Sequence, residues 1–429
     1  METMQPSTPQ LRVGMVGVGM IFEETYAPFF EQTAREPLYD STTGPVQVHL
    51  TALVSRTGQR AARYLERQAS LFTTCRNLSG SDALQALIQM PVDVVCIATP
   101  DHRHFEPARA ALAAGKHVLI EKPSVLNLNE LDELVQLARQ QGVLAKVVYH
   151  KLLDPDHKRL RTLVHDGVLR HVNNGYCSLL EPKSISGSQF AEWITGRNPA
   201  TYVAIHYWKL IDFTFGPNWF LDRITATGQR GLVGPADGPT WDSVQMQVVY
   251  RYPDQREAAF DIHTSWVNPD NFPGYVEQEV QFRFDNGVWN AHQRKRGVEV
   301  TIEGRTPGEY KTTPNHHYNA EFLEPWGQRR RRGYGIEVIE RFFREVAYVE
   351  YGGPRHERPQ RLRAMQQLEY NDLAADRRCV AIVQALEAIL EHGAQGRSGC
   401  LVRVNGPMGG LVLYEPGRPE ATILYGPTV

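Results

Sequence analysis

The chain has 429 residues, with 46 Lys plus Arg against 48 Asp plus Glu and a formal net charge of −2. Its 42% hydrophobic and 22% charged residues make an ordinary globular composition and exclude collagen-like, disordered and polybasic classes. Near-zero charge gives no general pull toward nucleic acid or anionic lipid, so neither is expected as a partner and a small molecule is.

Residues 1–10 have no apolar segment and read as a flexible tail without a secretory signal. The five dispersed cysteines form no CxxC pair, which argues against a disulfide framework and a cysteine zinc site. The most apolar run, 92–98, is far shorter than the roughly 18 residues a membrane helix needs. A cytoplasmic protein is expected.

The apolar run 11–16 predicts a first strand, followed by Gly17-Val18-Gly19 and a helical stretch to about residue 34. Run 46–54 predicts a second strand before a helix over 59–69, and 81–89 a short helix capped by Ser81. The β-branched run 92–98 has the pattern of a strand buried on both faces. A helix over 104–114 stopped by Gly115, a strand over 117–120, a helix from an Asn129 cap to 141 stopped by Gly142, and a strand over 143–149 follow. Such alternation predicts an α/β, doubly wound Rossmann domain over 11–150.

Beyond His150 the pattern changes. A helix is predicted over 202–215, then strands over 245–252, 258–266, 277–284, 287–293 and 298–302. Asp285-Asn286-Gly287 marks a hairpin between two of them. Further helices are expected over 335–349 and 368–391, with turn-rich segments over 306–333 and beyond 396. Residues 151–429 thus read as one α+β domain with a large, mostly antiparallel, open-faced sheet, and no internal repeat is visible. Four consecutive arginines, Arg329–Arg332, suggest either a nucleic-acid patch or a solvated or ligand-facing loop; the balanced total charge favours the loop.

Gly17-Val18-Gly19 lies between a strand and a helix, where a dinucleotide pyrophosphate meets free backbone N–H groups. Gly17 suits the tight turn, Gly19 leaves room for phosphate, and Met20 and Ile21 follow as cofactor contacts; Phe22 stands where the full fingerprint has a third glycine. The second strand ends in Ser55-Arg56-Thr57 without a carboxylate, so a hydroxyl and a guanidinium favour the 2′-phosphate of NADP over the bare ribose of NAD. Thr99-Pro100-Asp101 and Glu121-Lys122-Pro123 both end strands at the ligand-binding edge of such a sheet.

With Ala98-Thr99-Pro100-Asp101 and His104, Ala114-Gly115-Lys116-His117-Val118, Glu121-Lys122-Pro123, Tyr149-His150 and Asp154-Pro155, the chain resembles the Gfo/Idh/MocA oxidoreductases, the glucose–fructose oxidoreductase and inositol dehydrogenase group. The resemblance implies that Lys122 meets the substrate hydroxyl and the nicotinamide ribose, and that Pro123 follows a cis peptide. It also implies cofactor contacts at Thr99, Pro100, His104 and Glu121. The family's Asp-x-Gly-x-His-x-x-Asp helix corresponds here to Tyr202, His206 and Lys209: the histidine is kept, and tyrosine and lysine stand where aspartates are usual. His206 is then the candidate base or proton relay, and Tyr202 a substrate donor or second relay. The polar, aromatic segments around Pro314, His317, Tyr318 and Trp326 suit a sugar, with His150 and Lys209 as further substrate contacts. Adjacent His316 and His317 lack a third ligand, so no metal is expected.

These features describe an enzyme, an NAD(P)-dependent oxidoreductase passing hydride between nicotinamide and a secondary alcohol or ketone of a sugar, sugar derivative or polyol, in a homodimer or homotetramer. Two alternatives stay open: an NAD-dependent glycosidase working by transient oxidation, and a non-enzymatic sugar- or dinucleotide-sensing regulator.

Overall fold

The computed structural model describes residues 8–184, 194–216, 219–272, 276–292, 298–303, 310–312, 315–406 and 410–426. Most of the expected N-terminal tail, together with Gln293 and Pro314, lies outside the described residues. The chain divides into two compact units: residues 1–125, 130–153 and 317–376, and residues 126–129, 154–316 and 377–429.

In the first unit, strands β1 (Gln10–Val16), β2 (Leu38–Asp40), β3 (Gly44–Val54), β4 (Arg76–Leu78), β5 (Val94–Ile97), β6 (His117–Ile120) and β7 (Ala145–Val147) form one sheet. Its order is β2-β3-β1-β5-β6-β7, with β4 on β3; every pairing is parallel except that of β2. All four residues of β5 and of β6 are buried, as apolar runs covered on both faces must be. The connecting helices are α1 (Ala27–Arg35), α2 (Gln59–Arg67), α3 (Ala83–Gln89), α4 (Phe105–Ala113) and α5 (Leu128–Gln141), with a π-helical turn, Phe22–Tyr26, leading into α1. Two expected caps are corrected. α3 starts after Asp82, and the Ser81 hydroxyl donates to the Asp82 carboxylate rather than to a helix amide. Asn129 already lies inside the first turn of α5, too late to cap it.

The second unit opens with α6 (Pro155–His165), capped by Asp154, whose carboxylate accepts the Asp156 amide. Strand β8 (Val172–Pro182), a π-helical turn (Ala200–Ala204), α7 (Ile205–Phe215), β9 (Phe220–Gln229), β10 (Ser243–Arg251), β11 (Glu257–Asn268), β12 (Glu277–Phe284), β13 (Gly287–His292), β14 (Val300–Ile302) and β15 (Tyr310–Thr312) follow. Phe284 pairs with Gly287, so Asp285-Asn286 forms the tight turn expected there.

The chain then returns to the first unit with the hairpin β16 (Ala320–Leu323) and β17 (Arg329–Arg332), α8 (Tyr334–Tyr351) and α9 (Arg358–Gln366). The sequence reading placed this segment in the second domain. The helix expected over 368–391 is also shorter at its start. Residues 371–373 extend along β7 instead, the Val147 amide donating to the Asn371 carbonyl at 2.8 Å and the Leu373 amide to that of Ala145 at 3.0 Å. The free edge of β7 thus takes the backbone groups a helix would have used. Helix α10 (Arg377–Ala394), β18 (Leu401–Asn405), β19 (Gly410–Tyr414) and β20 (Thr422–Tyr425) complete the second unit. Its nine-stranded sheet runs β13-β12-β8-β11-β10-β9-β18-β19-β20, antiparallel throughout except for β8 against β11. Among the described residues no helix is long and apolar enough to cross a membrane.

Candidate active site

The turn after β1 shows why two glycines stand there. Gly17 has φ +98°, and a Cβ on it would lie 2.4 Å from the Ala98 carbonyl oxygen, so the turn presses against the end of β5. A Cβ at Gly19 would instead project into open space, with only the Arg60 guanidinium, 3.9 Å away, in reach. Room beside a cation at a strand–helix turn fits the phosphates of a dinucleotide. Met20 and Ile21 are half-buried just beyond, while Phe22, in place of the third glycine, is buried edge-on against Tyr64 at 4.9 Å. The Ser55 hydroxyl accepts the Gly58 amide at 3.2 Å, and Arg56 is exposed at the start of the segment leading into α2.

The ends of β5 and β6 are tied together. His104 is buried, with Nδ1 2.7 Å from the Pro123 carbonyl and Nε2 2.8 Å from the Thr99 carbonyl. The ring sits between the carbonyls of the two strand ends and, in its neutral form, donates to one of them at a time. Burial lowers its pKa, against the hydrogen bonds and the Asp101 charge. Lys122 is half-buried, and the Lys122–Pro123 peptide is cis. Before it, the Tyr26 hydroxyl donates to the Glu121 carboxylate at 3.2 Å; burial pushes that carboxyl up to about 7, although the Lys122 charge and the tyrosine oppose the shift.

In the same unit His150 is half-buried beside Tyr318 and Tyr334, with ring centroids 5.1 Å and 6.0 Å away. Tyr318 also hydrogen-bonds Glu24 in the π-helical turn. His317 is exposed and contributes its carbonyl to the Tyr334 amide at 2.7 Å. Trp326 is 64% exposed at the tip of the β16–β17 hairpin, its indole N–H 3.3 Å from Gln328. The structure thus brings His150 and Tyr318 together and adds Tyr334, while Trp326 stands in a turn of its own.

The four arginines do not form a basic patch. Arg329 pairs with Glu321 at 2.9 Å, Arg330 with Glu36 and Arg332 with Glu324 at 3.9 Å, and Arg331 lowers the carboxyls of Glu24 and Glu31 against the effect of burial. A charge run matched in this way is a crosslinked hairpin. Among the described residues no group of three or more His, Cys, Asp or Glu is placed to hold a metal ion.

In the second unit, the π-helical turn and α7 carry Tyr202, half-buried, and His206 and Lys209, both buried. The helix is fixed to its sheet by the Tyr207 hydroxyl, which donates to the Ser178 carbonyl on β8 at 2.8 Å. Tyr202 lies 6.3 Å from Trp266 between ring centroids, and the Trp266 indole N–H donates to buried Glu181 at 2.8 Å. A carboxylate therefore does stand near this helix, supplied by a strand rather than by the helix positions where aspartates are usual.

Arg60, Tyr26, Tyr334 and Glu181 are additions that sequence reasoning missed. Only Arg60 left a signal, as a second arginine close after Arg56. Tyr26 and Tyr334 join the residues of the first unit, and Glu181 those of the second, from segments distant in sequence.

A family model described as "Oxidoreductase family, NAD-binding Rossmann fold" (GFO_IDH_MocA) matches residues 11–149. The chain is 30% identical over 319 residues to dTDP-3,4-didehydro-2,6-dideoxy-alpha-D-glucose 3-reductase of Actinomadura kijaniata, covering 70% of this chain and 90% of that protein. It is 31% identical over 131 residues to scyllo-inositol 2-dehydrogenase (NADP(+)) IolU of Bacillus subtilis, covering 30% of this chain and only 38% of that relative. The crystal structure of GenD2 from gentamicin A biosynthesis, in complex with NAD, shares the fold at a TM-score of 0.61 and 20% identity, covering 94% of this chain and 98% of that one. With the glycine turn, the tied strand ends around Lys122 and a relative matched over most of both chains, this chain belongs to the Gfo/Idh/MocA family of NAD(P)-binding oxidoreductases.

Proposed function

We propose that the protein is an NADP-dependent oxidoreductase acting on a secondary alcohol or ketone of a sugar, sugar derivative or polyol. The observation that carries this reading is Lys122, half-buried at the end of β6, with Glu121 held by Tyr26 on one side and the Pro123 carbonyl held by His104 on the other. When bound, the nicotinamide supplies the hydride acceptor or donor. Lys122 holds the substrate oxygen and exchanges its proton, a role worth about 10²–10⁴ in rate. His206 is assigned as acid–base partner or relay and Tyr202 as a hydroxyl donor, with Lys209, His150, His317, Tyr318 and Trp326 as substrate contacts. Gly17, Gly19, Met20, Ile21, Thr99, Pro100 and Glu121 are assigned to the dinucleotide, with Arg60 beside the glycine turn on its phosphates, and Ser55 and Arg56 to the 2′-phosphate of NADP. The names of the relatives, a sugar 3-reductase and an NADP(+)-dependent inositol dehydrogenase, support the substrate and cofactor classes. The protein is further proposed to act in the cytoplasm as a homodimer or homotetramer.

The test is absorbance of the reduced nicotinamide with NADP and NAD against inositols, glycosides and keto-sugars, repeated with Lys122→Ala. Turnover with NADP that falls by about 10²–10⁴ in the variant, with cofactor binding kept, is the expected result. Undiminished turnover in Lys122→Ala rejects the mechanism. Net hydrolysis of glycosides without reduced cofactor replaces it with the glycosidase reading.

A further inference from the structure

Asp376 is fully buried, on the short 3₁₀ turn Ala374–Asp376. One carboxylate oxygen accepts the Ser124 hydroxyl at 2.5 Å and the other accepts the Tyr149 hydroxyl at 2.5 Å. Ser124 and Tyr149 are themselves buried. A carboxyl group taken out of water is costly to bury unless it is well hydrogen-bonded, so two such short bonds mark a group held in place at a cost. These two partners are not arbitrary. Ser124 lies two residues beyond Lys122, and Tyr149 immediately precedes His150. The turn is delivered to this point because residues 371–373 run along β7 before the Asp376 amide closes onto the Leu373 carbonyl at 3.1 Å.

We propose that Asp376 is a positioning residue for the reaction: it clamps the segment after β6 to the segment after β7 and so sets where Lys122 stands. The inference rests on the reading of Lys122 as the proton-exchanging group. His104 and Tyr26 hold the residues that flank Lys122, and Asp376 holds the next residue along, from 252 positions downstream of Ser124. Removing the charge while keeping the shape therefore loosens geometry around Lys122 without touching the phosphate-binding turn.

The test compares Asp376→Asn, the double variant Ser124→Ala/Tyr149→Phe, Lys122→Ala, and Asp376→Asn combined with Lys122→Ala. Each is assayed with the best substrate from the panel above and by NADPH fluorescence titration, with near-ultraviolet circular dichroism as the check on folding. Asp376→Asn is expected to lower kcat by about 10- to 100-fold, with KM and NADPH affinity held within about threefold. The double variant, which leaves Asp376 in place, is expected to reproduce that loss and decides the matter if Asp376→Asn fails to fold. In the Lys122→Ala background, Asp376→Asn is expected to cost nothing more. An equal loss in both backgrounds, or a kcat within about twofold of the parent in both clamp variants, overturns the proposal alone. Full turnover in Lys122→Ala overturns the Lys122 reading and this proposal with it.

Discussion

At the scale of single residues, the group with the most consequence beside Lys122 is Glu121. Burial pushes its carboxyl up to about 7 from an ordinary 4.5. The folded chain therefore binds that proton more tightly than the unfolded chain. The group contributes fully to stability below about 4.5 and loses that contribution as pH rises to about 7. Glu121→Gln cannot titrate, so its stability is expected to fall less steeply across that window, by on the order of 3 kcal/mol at most. Urea unfolding of parent and variant at about pH 5 and about pH 8 reads the difference; a gap that is the same at both pH values refutes it. Glu121 and Lys122 were legible because the chemistry and its setting lie within a few consecutive residues. Tyr26 was not: it meets Glu121 from 95 positions away, and nothing in a helix-like tyrosine announces its partner. Glu181 escaped for the same reason, since a carboxylate inside a strand shows its role only once Trp266 is seen to bind it.

At the scale of elements, α8 is anchored to the parallel sheet through Glu350. Its carboxylate accepts His117 Nε2 at 2.9 Å and Arg358 Nη2 at 2.6 Å. His117 Nδ1 in turn accepts the Leu144 amide at 3.0 Å, which fixes the proton on Nε2. Burial raises the Glu350 carboxyl, but the bonds from His117 and Arg358 outweigh it and bring it down to about 2. The sign is opposite to that of Glu121: this stabilisation is complete above about 4.5 and is lost as pH falls toward about 2. Glu350→Gln is expected to lose about 1–3 kcal/mol near neutral pH and to converge with the parent in acid. Equal deficits in urea unfolding at about pH 7 and about pH 3 count against the anchor. The elements that were legible are those whose burial is uniform along them, such as β5 and β6. Strand β8 was missed because Asn173-Asn174-Gly175 looks like a turn. Gly175 is there because a Cβ would lie 2.4 Å from Phe282 and 2.8 Å from Phe260, so the rings of two neighbouring strands occupy its side-chain space.

At the scale of the whole molecule, the division into two units follows burial rather than chain order. The sequence pattern ends the parallel sheet near residue 150, yet the core of that unit continues in α8. Phe29 stacks on Phe343 with centroids 4.9 Å apart, Phe30 meets the same ring at 6.1 Å, and Ile336, Ile339, Phe342, Val346 and Val349 are buried in one cluster with β1 and β3. No local pattern reveals this, because an amphipathic helix states that it has a buried face and not which sheet receives it. The seven or so side chains that α8 contributes are worth on the order of 10–20 kcal/mol of apolar burial, at about 1.5–3 kcal/mol each. A domain's net stability is only about 5–15 kcal/mol. Residues 8–153 expressed alone, although they contain every strand of the sheet and the whole glycine turn, are therefore expected not to reach a fixed tertiary structure. The same residues joined by a flexible Gly/Ser linker to 317–376 are expected to fold and to bind NADPH. Near-ultraviolet circular dichroism and NADPH fluorescence of the two proteins decide it: a sharp native spectrum and cofactor binding from 8–153 alone would show that α8 merely decorates a unit already complete.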